Sequence, residues 1–188
     1  MTVAVAPSEE KLITGDELYR MPGVGLCELI DGRIVPMSPT NVAHAIIEIR
    51  IAAALENFVR ARKTGKVLVG EAGLFTRRDP DRVRAADALF ISNERYAQRK
   101  KKHGYLDVAP ELIVEVLSPD DTMVEATQKL REYFAIGVRV VWVIDPQAET
   151  VFTYRSLTDV REFKEGDVLP GDEVLPGFEV AVASLFEE

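Results

Sequence analysis

Glu115 stands in the middle of "LIVEVL" (112–117), an apolar run that reads as a strand buried on both faces, and Asp87 stands likewise within "RAADALFI" (84–91). An unpaired interior carboxylate is costly unless it takes up a proton, so each acid implies something that offsets its burial: a cation, a metal ion or a proton-transfer task. Two such acids on neighbouring strands would repel each other and raise a pKa unless a divalent cation sat between them. Mg²⁺ takes one or two carboxylates together with waters and phosphate oxygens. Each acid could equally pair with an arginine, Arg84 or Arg139, or face solvent from an edge strand.

The segment after Glu115 adds a third group. Ser118-Pro119-Asp120 stops the strand and opens a helix. With Leu130 set at zero and about 100° per residue, Met123, Ala126, Thr127, Tyr133 and Phe134 fall within about 60° of it and define the expected buried stripe. Lys129 falls at about −100°, beside Tyr133, from where its ammonium can reach the strand ends or snorkel to water. Gln128 points away.

The elements that must position these groups follow from local signals. "TGDE" (14–17) has the form of a capping box and predicts a short helix. "CELIDGRIVPM" predicts a hairpin turning at Asp31-Gly32. Ser38, Thr40 and Asn41 precede a long amphipathic helix with Ile46, Ile47, Ile51, Ala54, Leu55 and Phe58 on its apolar positions. Three short strands, "KVLVG", "AGLFTR" and "RAADALFI", are expected next, then a polar helix and loop over 93–109, the Glu115 strand, its helix to Gly137, and the buried strand "VRVVWVIDP". The tail predicts a meander or hairpin and a closing strand in "FEVAVASLF". This order predicts one α/β or α+β domain with a mixed sheet, comprising a helix and hairpin over 12–37, a core over 38–146 and C-terminal strands over 147–188.

At 188 residues the chain is long enough to bury roughly two-thirds of its unfolded surface. Its 47% hydrophobic and 29% charged residues place it among globular rather than disordered proteins. No run approaches a membrane span, and the first residues lack the pattern of a secretion signal. The single cysteine, Cys27, excludes an internal disulfide, and a cytoplasmic location is the expectation. Cys27 and Trp142 read as packing residues. His103 reads as surface, and Glu71 as an exposed turn or a residue facing the site. The net charge of −8 conceals an asymmetry, because residues 60–102 hold thirteen Lys or Arg against five acids. Such a segment is either solvated surface or a patch that tracks phosphates.

Asp87 on one strand, Glu115 on the next and a lysine nearby resemble the PD-(D/E)xK superfamily, whose core is restriction-endonuclease-like. The chain more closely resembles a bacterial family of endonuclease-like proteins often called Uma-two, first catalogued as a domain of unknown function. "GDELYRMP", "CELIDGRIVPMSPTNVAH", "RAADALFIS", "LIVEVLSPDDT", "KLREYFAIGVRVVWVIDP" and "LPGFEVAVASLF" occur in the family's order. The resemblance implies Mg²⁺ or Mn²⁺ held by Asp87 and Glu115, with Glu28 completing the shell directly or through a water. It implies Lys129 as the catalytic lysine and His44 as a residue touching the phosphate or orienting Glu28. The superfamily's usual lysine position, two after the Glu, is Leu117 here, so the lysine is displaced onto the helix. Ala86 replaces the proline usual before the strand acid, and Gln128 stands where the family often has an acid or arginine.

The expected activity is therefore metal-dependent cleavage of nucleic acid, DNA foremost, by a chain that reads the backbone. The alternative is a non-catalytic nucleic-acid-binding or interaction module on the same fold. No membrane partner is expected. A homodimer through an unpaired strand edge in the tail is the oligomer the sequence allows.

Overall fold

The structure, a computed structural model, describes residues 11–187. Thr14 caps α1 (Gly15–Arg20) in a complete capping box with Glu17, as the sequence predicts. Strands β1 (Cys27–Ile30) and β2 (Arg33–Pro36) form the expected hairpin, whose turn residues Asp31 and Gly32 have φ of 53° and 76°. Both angles are positive, as this two-residue turn requires. The long helix α2 (Val42–Arg62) begins on Asn41, whose side chain accepts the His44 N–H at 3.0 Å and so fixes His44 in the first turn. Ile47, Ile51, Leu55 and Val59, four residues apart, form its buried stripe.

Two of the three expected short strands are one. Strand β3 (Gly65–Arg77) runs antiparallel to β4 (Arg82–Ser92), and Gly70 and Glu71 form a bulge between the pairs Val69↔Ala88 and Ala72↔Ala86. Both bulge residues have positive φ, 75° and 53°, and together they stand opposite Asp87. The expected polar helix and loop over 93–109 are α3 (Asn93–Ala97) and the irregular segment that follows it. Strand β5 (Leu112–Val116) pairs antiparallel with β4 and parallel with β6 (Val140–Asp145), and the crossover carries α4 (Met123–Ile136), which ends on Gly137 in the left-handed region. Strands β7 (Thr150–Tyr154) and β8 (Val160–Phe163) complete a meander. The eight-stranded sheet has the order β2-β1-β4-β5-β6-β7-β8, with β3 on the outer side of β4.

The fold is thus mixed α/β, with a central mixed sheet between helices. On one face, α2 packs with Phe90, Val114 and Trp142. On the other, Leu130 and Tyr133 of α4 pack with Leu89, Ile113 and Val141. The tail departs from expectation: β9 (Val168–Pro170) pairs with a three-residue β10 (Glu179–Ala181), and "ASLF" forms the short helix α5 (Ala183–Phe186) rather than more strand. The α4 stripe is also corrected. Met123 is 71% exposed, while Glu132 is buried because two arginines of β4 reach its carboxylate.

Candidate active site

Asp87 sits where the sheet loses its regularity on both sides. The β3 bulge lies opposite it, and the β4–β5 ladder ends at Ala88↔Val114. Face alternation also breaks here, since Ala86 belongs to the α4-side core and Ala88 to the α2-side core. The Asp87 carboxylate takes the place of the next rung, Oδ2 accepting the Val116 N–H at 2.7 Å. The same oxygen lies 3.3 Å from His44 Nε2. A bulge that re-aims a side chain is a recurrent device beside functional sites.

Glu115 emerges from β5 on the opposite face. Lys129 Nζ donates to its Oε2 and the Tyr133 hydroxyl donates to its Oε1, each at 2.6 Å. A small cavity of about 30 Å³ borders Glu115, Lys129 and Tyr133, otherwise lined mainly by apolar residues such as Leu117, Leu130 and Val143. That is room for about one water. Burial pushes the Glu115 carboxyl above its ordinary range, and the Asp87 charge pushes the same way against the pull of Lys129. Burial would lower the Lys129 ammonium, but the carboxylates of Glu115, Glu28 and Asp87 outweigh it and raise the group. Lys129 therefore stays charged, and three acids share its field.

Glu28 is held otherwise. Its Oε2 accepts from Arg84 at 2.7 Å and its Oε1 from the Ala85 N–H at 3.1 Å. Arg84 also donates through Nε and a terminal nitrogen to both oxygens of Glu132, at 2.7 and 2.8 Å. Gln128, Arg82 and the Thr76 hydroxyl also donate to Glu132, and Arg82 reaches on to Asp31. Burial would raise the Glu132 carboxyl, but Arg84 overrides it and holds the group low.

His44 is buried and touches Asp87 and, more loosely, Glu48 at 3.9 Å, rather than Glu28, which was one of its two expected partners beside the phosphate. Burial would lower its pKa, yet the Asp87 and Glu48 carboxylates raise it. Glu48 in turn accepts the N–H of Gly70 in the bulge at 3.3 Å. Glu71, expected before a strand, lies within β3 at that bulge, and its charge acts on Glu48. Burial pushes the Cys27 thiol up, away from the nucleophilic thiolate form, and His103 is exposed.

A family described as "Putative restriction endonuclease", Uma2, matches residues 16–183. The chain belongs to the Uma2 family. A crystal structure from Anabaena variabilis ATCC 29413, described as "a putative nuclease belonging to DUF820", superposes with a TM-score of 0.76 at 22% identity, covering 93% of this chain and 97% of that one. A likeness at that identity speaks for the fold. No curated protein matches the chain. Among the described residues no helix is long and apolar enough to cross a membrane.

For this Uma2 chain the residues present can be weighed against a divalent ion. Among the described residues no group of three or more His, Cys, Asp or Glu converges as a metal shell. Asp87 offers a hard oxygen donor, and Glu115 offers one whose oxygens already accept from Lys129 and Tyr133 and would be shared with such an ion. Asp87 Oδ1 has no protein hydrogen-bond partner among the described residues, and the charge of Asp87 acts on Glu115. Two carboxylates with waters suit Mg²⁺, which keeps several waters of its own. Both oxygens of Glu28 are occupied by Arg84 and Ala85, so Glu28 would act on such an ion through charge rather than contact. Sequence reasoning did not find Tyr133 as a hydrogen-bond donor, nor Glu48. The apolar stripe of α4 already placed Tyr133 beside Lys129, and a search for polar tips on that stripe would have found it.

Proposed function

We propose that this protein is a metal-dependent endonuclease that hydrolyses phosphodiester bonds of DNA, with Asp87 and Glu115 as the residues that hold Mg²⁺ or Mn²⁺. The observation that carries this reading is the Lys129 ammonium seated on Glu115 at 2.6 Å, with Asp87 in its field. A bound Mg²⁺ supplies a more acidic water and neutralises charge on the phosphate. The chain's own groups do the rest. Lys129, kept protonated, acts as a cation that orients the attacking water or steadies developing negative charge, not as a base. Tyr133 and His44 hold the two carboxylates from opposite faces of the sheet. Water oxygen bonds to phosphorus as the bond to the departing sugar oxygen breaks; the water gives up a proton to solvent and the departing oxygen takes one from solvent.

The second reading is a DNA-binding module without turnover. It draws on Glu115, both of whose oxygens are already satisfied within the protein. The deciding experiment incubates plasmid and single-stranded DNA with Mg²⁺ or Mn²⁺ and compares wild type with Glu115→Ala and Lys129→Ala. Nicking by wild type alone supports the nuclease. Equal nicking by all three points to a contaminant, and affinity without cleavage supports the module.

A further inference from the structure

The basic middle of the sequence is not one uniform patch. Six of its cations are held by carboxylates: Arg77 and Arg82 by Asp31, Arg78 by Asp81, Arg84 by Glu28 and Glu132, Arg95 by Glu111, and Lys101 by Asp16. Arg60, Lys63 and Lys66 are different. They have no carboxylate partner among the described residues, all three are exposed, and they line one open groove of about 700 Å³ between α2 and β3. Among the described residues Glu56 is the only acid on its lining.

The groove leads to the candidate site. Its near end is bordered by Ile49 and Val69, and the next residue, Gly70, donates to Glu48 of α2, which faces His44 and through it Asp87. From the bulge to Lys66 is four strand residues, roughly 13 Å, or about four nucleotides of duplex rise at about 3.4 Å per nucleotide on each strand. Among the described residues the outer edge of β3 pairs with no named strand, and its one bridge there is Leu74↔Leu106. Edge N–H groups are therefore open to phosphate oxygens, as backbone amides often are in DNA complexes.

We infer that this groove is the track for the DNA backbone on one side of the scissile bond, with Arg60, Lys63 and Lys66 as its phosphate contacts. The inference rests on the nuclease reading above and adds where the substrate lies. A second copy of the chain fits the groove less well, because a two-fold interface would bring the same cationic patch onto itself.

The test is binding of a fluorescein-labelled 20-base-pair duplex, followed by anisotropy from 50 to 200 mM salt with Ca²⁺ in place of Mg²⁺. It compares wild type, the triple variant Arg60→Gln/Lys63→Gln/Lys66→Gln, and the control Arg161→Gln/Lys164→Gln, on the far strand β8 and just after it. Three lost phosphate contacts lower the slope of log affinity on log salt by about 2.7, so wild type loses about 40-fold more affinity than the triple variant over that range. The control keeps the wild-type slope. All substituted side chains are exposed, and matching urea midpoints verify that folding is intact. A wild-type slope in the triple variant overturns the track and leaves the nuclease reading standing. Absence of both binding and cleavage in wild type overturns both. A dimer in sedimentation that Ile49→Asp dissociates, with the DNA slope unchanged in the triple variant, assigns the groove to a second copy and also overturns the track.

Discussion

Replacing Lys129 with Met strips a buried carboxylate of its counter-ion, and the structure bounds what that costs. Lys129 Nζ lies 2.6 Å from Glu115 Oε2, with side-chain exposures of 24% and 11%. Breaking such a pair costs about 3–5 kcal/mol while the acid stays charged. Glu115 has an escape, which is to bind a proton. Starting from an unfolded value of 4.5, carrying that proton at pH 7 costs about 3.4 kcal/mol, at about 1.36 kcal/mol per pH unit. The penalty is therefore about 3 kcal/mol at pH 7 and under about 1 kcal/mol at pH 5. The sign follows from the raised folded pKa. Relative stability is full below pH 4.5 and is lost as pH rises toward the folded value, which the substitution drives higher still. Urea unfolding followed through Trp142, the single and fully buried tryptophan, reads the deficit at pH 5, 6, 7 and 8. Glu115→Gln/Lys129→Met should recover most of the loss. A deficit equal at pH 5 and pH 7, or no recovery in the double variant, refutes the reasoning.

Asp87→Asn and Glu115→Gln should each lower plasmid nicking in Mg²⁺ by at least about 100-fold; Glu115→Gln also strands the Lys129 ammonium and should lower the urea midpoint, so its nicking is compared under conditions where both proteins are folded. Arg84→Met should destabilise by about 3–5 kcal/mol in urea, because Glu28 and Glu132 lose their shared partner; Arg84→Lys should rescue poorly, as an ammonium cannot span both oxygens of Glu132 and reach Glu28. Histidine proton NMR should show His44 titrating above 6.5, and Asp87→Asn should return it downward; its contribution to stability is complete below 6.5 and is lost as pH rises through the folded midpoint. Gly65→Ala places a methyl 2.2 Å from the Ile91 carbonyl oxygen and should cost about 1–3 kcal/mol in thermal or urea unfolding.

Local signals carried much of the fold. Thr14 and Asn41 cap the helices they were expected to cap, Asp31-Gly32 turns the hairpin, and Gly137 ends α4, because each feature is decided within four or five residues. Asp87 and Glu115 were conspicuous as acids in apolar strands, and the helical angle of Lys129 placed it at the edge of α4, where it meets Glu115. Partners far away in sequence were not legible. Glu132 reads as an exposed helix residue until Arg82 and Arg84, about fifty positions earlier, are folded against it. The merging of two short strands at Gly70-Glu71 depended on β4 to hold both halves in one ladder. Met123 met the angular criterion for burial, but among the described residues no layer covers the first turn of α4, and both Met123 and Val124 are exposed.

Asp87 is steadied by a histidine from the α2 layer and Glu115 by a tyrosine and a lysine from the α4 layer. The spacing between the two acids is thus set by how two separately packed cores are clamped across one sheet, not by either core alone. A substitution that softens one layer lets that spacing drift while most of the hydrogen-bond ladder survives. Heat or mutation would then blunt such a protein well before melting it, and the gap between the temperature of inactivation and that of unfolding would measure how tightly the two cores are geared together.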